Sequence, residues 1–243
     1  MHVEICANSY KSAINAQEAR AHRIELCSEL AVGGITPSYG LIQQVMENVT
    51  LPVFVLIRPR SGNFTYSKSE FEIMKQNIFL CKNSGCKGIV SGVLNTDDSI
   101  DVERTQELIA IAKPMSFTFH RAFDSTHSPM EALEQLIELK VDRVLTSGQE
   151  TSAEKGIELL KRLKRIGGSR ITILPGGGIN VENARIFKEA GFSEIHCSAS
   201  TIYQRNKTLK VPMNSIKFFD ETIEACSDVE KIKSILKAIK NEV

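Results

Sequence analysis

The sequence predicts an α/β protein, a (β/α)8 TIM barrel with residues 1–243 forming a single domain. Three observations predict it. Eight short β-branched runs recur near residues 2–6, 22–27, 52–57, 87–91, 115–119, 142–146, 170–174 and 194–197. Their starts lie 20, 30, 35, 28, 27, 28 and 24 residues apart, the span of one strand, loop and helix each time. The chain has 243 residues, and such barrels typically need ~250. An open doubly wound sheet fits the alternation less well. No Gly-x-Gly-x-x-Gly follows the first run, so no nucleotide cofactor is expected.

The elements follow in order. The first strand, His2 to Cys6, starts without a charged segment and a long apolar run before it, so no secretory leader is expected. Arg23 to Cys27 form the second strand, and Pro37 after Thr36 marks a first helical position. The third, Val53-Phe54-Val55-Leu56-Ile57, is the longest clean apolar run. It is far short of the ~18 residues of a membrane span. Ser67 with Glu70, Ser128 with Glu131, Thr151 with Glu154 and Ser227 with Glu230 have capping-box spacing, and Pro129 follows Ser128. In a capping box the hydroxyl accepts from a free backbone N–H and the carboxylate answers. The last helix carries Ile232, Ile235, Leu236, Ile239 and Val243 on one face. Between the eighth strand and that helix, an excursion at about 198–227 holds Lys207, Lys210, Pro212, Phe218 and Phe219. A loop of that length suggests a lid, a binding loop, an extra helix or an oligomer contact.

Composition narrows the function. Lys plus Arg is 30 against 29 for Asp plus Glu, which argues against a basic nucleic-acid face. Trp is absent and aromatics are 6 %, which leaves little for stacking on RNA or sugars. Six cysteines in a chain of this size do not form a disulfide scaffold, so reduced thiols and a cytoplasmic location are expected.

Strand parity selects candidate site residues, because side chains alternate faces and polar residues at the C-terminal strand ends of a barrel surround its mouth. Glu4 and Cys6 share a face in the first strand; Arg23, Glu25 and Cys27 in the second; Phe54, Leu56 and Arg58 in the third. Thr118 and His120 do so in the fifth, and Glu194, His196 and Ser198 in the eighth. One expectation is a purely architectural network in which Arg58 neutralises Glu4 and Glu25. The other is a site for a small anionic metabolite. There Arg58 and Arg60 clamp a carboxylate or phosphate, Glu4, Glu25 or His120 moves a proton, and Asp124 orients a neighbour. Gly176-Gly177-Gly178 lets backbone N–H groups approach a ligand, with Arg121, Ser147, His196 and Ser198 nearby; a tight strand-to-helix turn explains the glycines equally well. Cys6 and Cys27 end neighbouring strands with one parity, ~4.8 Å apart if in register. That pair can hold a soft ion such as Cu(I), form a disulfide, or simply pack as small hydrophobes.

The motifs Glu4-Ile5-Cys6, Arg23-Ile24-Glu25-Leu26-Cys27-Ser28, Gly33-Gly34-Ile35-Thr36-Pro37-Ser38, Ile57-Arg58-Pro59-Arg60, Thr118-Phe119-His120-Arg121-Ala122-Phe123-Asp124, Leu145-Thr146-Ser147-Gly148 and Pro175-Gly176-Gly177-Gly178-Ile179 occur in the order seen in the CutC family. The sequence resembles that family along essentially its whole length, most densely from 1 to 200. The resemblance implies a cytoplasmic TIM barrel, often a homo-oligomer (dimer or tetramer), linked to copper tolerance. Cys6 and Cys27 match the motif cysteines and become candidate copper ligands, with His120 and His196 behind them. The family's catalytic activity is not established, so a barrel enzyme for a small anionic ligand stays open beside copper handling.

Overall fold

The computed structural model describes residues 1–205, 211, 213 and 220–240. Eight parallel strands form the barrel: β1 (His2–Ala7), β2 (Arg23–Leu26), β3 (Val53–Leu56), β4 (Gly88–Ser91), β5 (Ser116–Phe119), β6 (Arg143–Thr146), β7 (Thr172–Pro175) and β8 (Glu194–Cys197). Neighbours run β7-β6-β5-β4-β3-β2-β1-β8, and a parallel bridge between Gly176 and His196 closes β7 onto β8. The helices are α1 (Tyr10–Glu18), α2 (Tyr39–Asn48), α3 (Lys68–Asn83), α4 (Val102–Ala112), α5 (Pro129–Glu138), α6 (Ile157–Gly167), α7 (Ala184–Glu189) and α8 (Val229–Ala238).

The outward strand residues form the seam with the helices: Val3, Ile5, Ile24, Leu26, Val53, Val55, Ile89 and Phe117 are essentially inaccessible. Apolar area removed from water here supplies the main driving force for the fold. The inward set is what parity predicts, and it carries the charge.

Helix starts follow the sequence in part. Ser67 and Glu70 make the reciprocal capping box at α3. Ser128 precedes α5 with Pro129 in the first turn, but its hydroxyl makes no cap hydrogen bond. The Thr151 box does not start a helix, because α6 begins after Gly156. Asp228, not Ser227, caps α8, accepting from the amides of Glu230 and Lys231. Nor does Pro37 open α2. Ser38 caps that helix, while Thr36 Oγ accepts from the Arg58 amide at 2.8 Å.

The 198–227 excursion contains an antiparallel hairpin, β9 (Ser200–Gln204) and β10 (Ile223–Ser227). Its base is fixed to the start of the barrel. Asn8 Nδ2 donates to the Ala225 carbonyl at 3.0 Å, Asn15 Nδ2 to the Ser227 carbonyl at 2.8 Å, and the Ser227 amide to Ser12 Oγ at 3.0 Å. Lys207, Lys210, Pro212, Phe218, Phe219 and Val243 lie outside the described residues.

Candidate functional site

The site sits where β8, β1 and β2 adjoin. Register places Glu4 beside Arg23 on one side and His196 on the other, and Cys6 beside Glu25. Glu4 is 1 % exposed. One of its oxygens pairs with Arg23 Nε, and the other accepts from His196 Nδ1 at 2.8 Å. Glu25 Oε2 lies 3.5 Å from the same Nδ1. A buried carboxylate survives only with such partners.

These surroundings push the two carboxyls apart. Burial raises Glu4, but His196 and Arg23 outweigh it and bring its pKa down to about 2. Burial lifts Glu25 to about 7; the charge of His196 opposes this and that of Glu4 adds to it. Burial alone would depress His196. Glu25, Cys6 and Glu4 reverse that and hold the imidazole well above its ordinary value, so it is charged at neutral pH.

The counter-charge to this cluster is Arg23, not Arg58. Arg23 joins Glu4 to Glu194 (Nη2–Oε2 2.5 Å), and Arg143 Nε meets the same Glu194 oxygen at 3.0 Å. Both guanidiniums lie over the Phe54 ring, 4.8 and 5.3 Å from its centroid. Arg58 points elsewhere and ties loops together. Its Nη1 donates to the Val32 and Gly34 carbonyls at 2.7 and 2.8 Å, and its Nη2 to the Gly62 carbonyl at 2.8 Å. Arg60 pairs with Glu70 and donates to the Thr65 carbonyl at 2.8 Å. In this structure the expected Arg58–Arg60 pair is engaged by loop carbonyls and by the Glu70 and Asn63 side chains.

Cys6 and Cys27 come together, but not in register. Cys6 faces Glu25 across the strands, so Cys27 is its diagonal neighbour, and the two sulfurs are 3.5 Å apart. Both are buried thiols. The hydrogen bond to Cys27 and burial push the Cys6 thiol well up, so it is protonated at neutral pH. Cys6 also helps to hold the His196 imidazole up, so the thiol and the carboxylates act on one ring.

The other candidates form a separate group. His120 is buried; Nδ1 accepts from the Ala122 amide at 3.2 Å, and Nε2 has no hydrogen-bond partner. Burial and the charge of Arg58 lower it to about 3, so it is neutral. Asp124 organises the turn after β6. It accepts from Arg121 Nε at 2.7 Å and from the Ser147 and Gln149 amides at 3.1 Å. Arg121 Nη2 reaches Ser147 Oγ at 2.8 Å. Gly177 and Gly178 take φ of +109° and +73°, which glycine adopts without strain. A Cβ on Gly176 would meet Leu145 Cδ1 at 2.5 Å and His196 at 3.2 Å, so its place is set by the barrel seam. Ser198 Oγ lies 3.2 Å from Ser200 Oγ. A cleft of about 610 Å³ over the ends of β1, β2 and β8 is lined by Asn8, Ser28, Ser198 and Ser200 among others.

Sequence reasoning did not single out the Glu4–Glu25–His196 trio as one group, nor Arg23, Arg143 and Glu194 as its charge partners. Their common inward parity was the available signal.

Fold and site together define a (β/α)8 barrel with an acid–imidazole–thiol cluster at the C-terminal ends of adjacent strands. The chain belongs to the CutC family, whose model matches residues 1–201. It is 44 % identical to the human copper homeostasis protein cutC homolog, covering 98 % of this chain and 89 % of that one. It is 42 % identical to a CutC family protein of Photorhabdus laumondii, covering 96 % of each. The solved structure of CutC from Streptococcus agalactiae superposes with a TM-score of 0.77 at 32 % identity, over 82 % of this chain and 98 % of that one.

Proposed function

We propose that this chain handles copper by holding Cu(I) between Cys6 and Cys27. One observation carries the reading: two buried thiols from neighbouring strands with sulfurs 3.5 Å apart. Soft sulfur selects Cu(I), and strands fixed by a closed barrel pre-set the pair. The copper homeostasis name of the relatives supports the same assignment. His196, whose imidazole Cys6 helps to hold above its ordinary value, is the candidate nitrogen to complete the coordination.

The reading includes a cytoplasmic location and a homo-oligomer, dimer or tetramer. Six unbridged cysteines support the first, since thiols persist in a reducing compartment. Ile202 and Tyr203, exposed on β9, support the second; light scattering at micromolar concentration reads it directly. No described helix is long and apolar enough to cross a membrane. The alternative of an enzyme for a small anionic metabolite retains Arg121, Ser147 and the glycine turn. Its clamp requires Arg58 and Arg60 to exchange loop carbonyls and Glu70 for the anion.

The test is a titration of reduced, metal-stripped protein with Cu(I) against a competing chelator. The wild type is expected to take one tight equivalent, and the Cys6→Ser, Cys27→Ser double variant to lose at least a hundredfold in affinity. Equal affinities in the two proteins would remove the pair as ligands.

A further inference from the structure

We propose a second metal site beside the thiol pair: a borderline divalent cation held by Glu4 Oε1, Glu25 Oε2 and His196 Nδ1, the ion displacing to solvent the proton that Nδ1 otherwise donates to Glu4. The three donor atoms come from three consecutive strands of the barrel and lie within 4.8 Å of one another. His196 Nδ1 is 2.8 Å from the Glu4 oxygen and 3.5 Å from the Glu25 oxygen. Tetrahedral ligands at ~2.1 Å from a zinc ion stand roughly 3.4 Å apart. The Glu25 separation already matches that figure, and the Glu4 separation needs a small side-chain opening.

A second, independent observation points to a ligand. Glu25 is 4 % exposed, and its Oε2 is buried with no hydrogen-bond partner. An orphaned carboxylate oxygen in a closed interior costs free energy unless something takes it up. The oxygen faces the very nitrogen that already serves Glu4. By contrast, Glu4 is oriented from behind: its other oxygen is fixed by Arg23, which Glu194 and Arg143 fix in turn. Outer contacts of that kind hold first ligands in place at metal centres.

Donor chemistry separates this site from the copper pair. Two carboxylates and one imidazole suit zinc, manganese or ferrous iron; two thiols suit Cu(I).

The experiment uses Zn2+ by calorimetry and Co2+ by absorption on the intact, metal-stripped chain. The Cys6→Ser, Cys27→Ser protein is expected to bind one Zn2+ within threefold of wild type. Glu25→Gln and His196→Gln are expected to lose at least tenfold. Wild-type Co2+ is expected to show a visible ligand-field spectrum without a strong sulfur-to-cobalt charge-transfer band. That readout needs no substitution, so it stands even if a variant fails to fold; retention of Cu(I) by Glu25→Gln reports its fold. Failure of Zn2+ and Co2+ to bind wild type overturns the proposal, as does a strong sulfur charge-transfer band. So does loss of Zn2+ in the cysteine variant with Glu25→Gln unaffected. None of these results bears on Cu(I) at the thiol pair, which the chelator competition reads separately.

Discussion

At the scale of single residues, Arg23 decides whether the interior can hold its acids. It meets Glu4 and Glu194 at once and is 6 % exposed. Replacing it with methionine keeps the volume and leaves two buried carboxylates short of a counter-charge. Removing one partner of such a buried network costs about 3–5 kcal/mol. Urea unfolding of Arg23→Met is expected to read a loss in that range; a loss under 1 kcal/mol would place the counter-charge elsewhere. His120 sets the acid limit differently. Burial and Arg58 lower it from 6.5 to about 3 in the folded protein. Its folded pKa is depressed, so the unfolded chain binds a proton over that window that the native protein refuses. The stability contributed by the neutral ring is present above pH 6.5 and is lost as pH falls toward 3. The loss is up to roughly 5 kcal/mol at 1.36 kcal/mol per unit. Asn at this position keeps an acceptor for the Ala122 amide and does not titrate. Denaturation of His120→Asn between pH 7 and pH 4 is expected to show a shallower decline than wild type. Parallel profiles would mean that His120 is charged in the native state.

At the scale of elements, two serines with the same sequence spacing behave differently. Ser67 accepts from the Glu70 amide at 3.2 Å, while Ser128 makes no such bond and relies on Pro129. Ser67→Ala is expected to cost about 1 kcal/mol, and Ser128→Ala a few tenths at most. Equal losses by thermal unfolding would contradict the assigned caps. The same contrast shows what the sequence could and could not tell. All eight strands were legible, because short β-branched runs recur at the spacing of one strand, loop and helix. Helix starts were less so, because tertiary contacts compete with local capping. The stretch after β6 is held by Asp124, by the Ala153 amide donating to the Gly177 carbonyl, and by Gly148 and Gly156 packed so closely that no Cβ fits between them. That anchoring delays α6 past the Thr151 box. Ser227 is engaged in β10 and with Ser12, which leaves Asp228 to cap α8.

At the scale of the whole molecule, the site depends on a closure that no local pattern contains. Parity put Glu4, Glu25, His196, Cys6 and Cys27 inside the barrel. It did not say that the last strand lies against the first, which is what brings His196 to Glu4. Nor did it reveal the two-residue offset that makes Cys6 and Cys27 diagonal neighbours. Arg23 shared that inward parity, but the counter-charge of Glu4 was assigned to Arg58, whereas register sets Arg23 beside Glu4. The closing seam is Gly176 against His196, and it offers a test that joins fold to site. A methyl group at Gly176 meets Leu145 Cδ1 at 2.5 Å and the His196 Cβ and Cδ2 atoms at 3.2 Å. In a packed interior such an intrusion typically costs about 1–3 kcal/mol, and it moves whichever neighbour yields. Gly176→Ala is therefore expected to lower stability and to weaken Zn2+ binding several-fold, because the imbalance falls on the proposed ligand ring. Gly168→Ala is the control: it carries backbone strain at φ +56°, has open space around its Cβ, and precedes β7, at the opposite end of that strand from the seam. It is expected to lose stability through its backbone alone and to keep Zn2+ affinity. If both variants lose stability and neither changes Zn2+ affinity, then the seam does not set the His196 ring, and the link between barrel closure and the metal site fails.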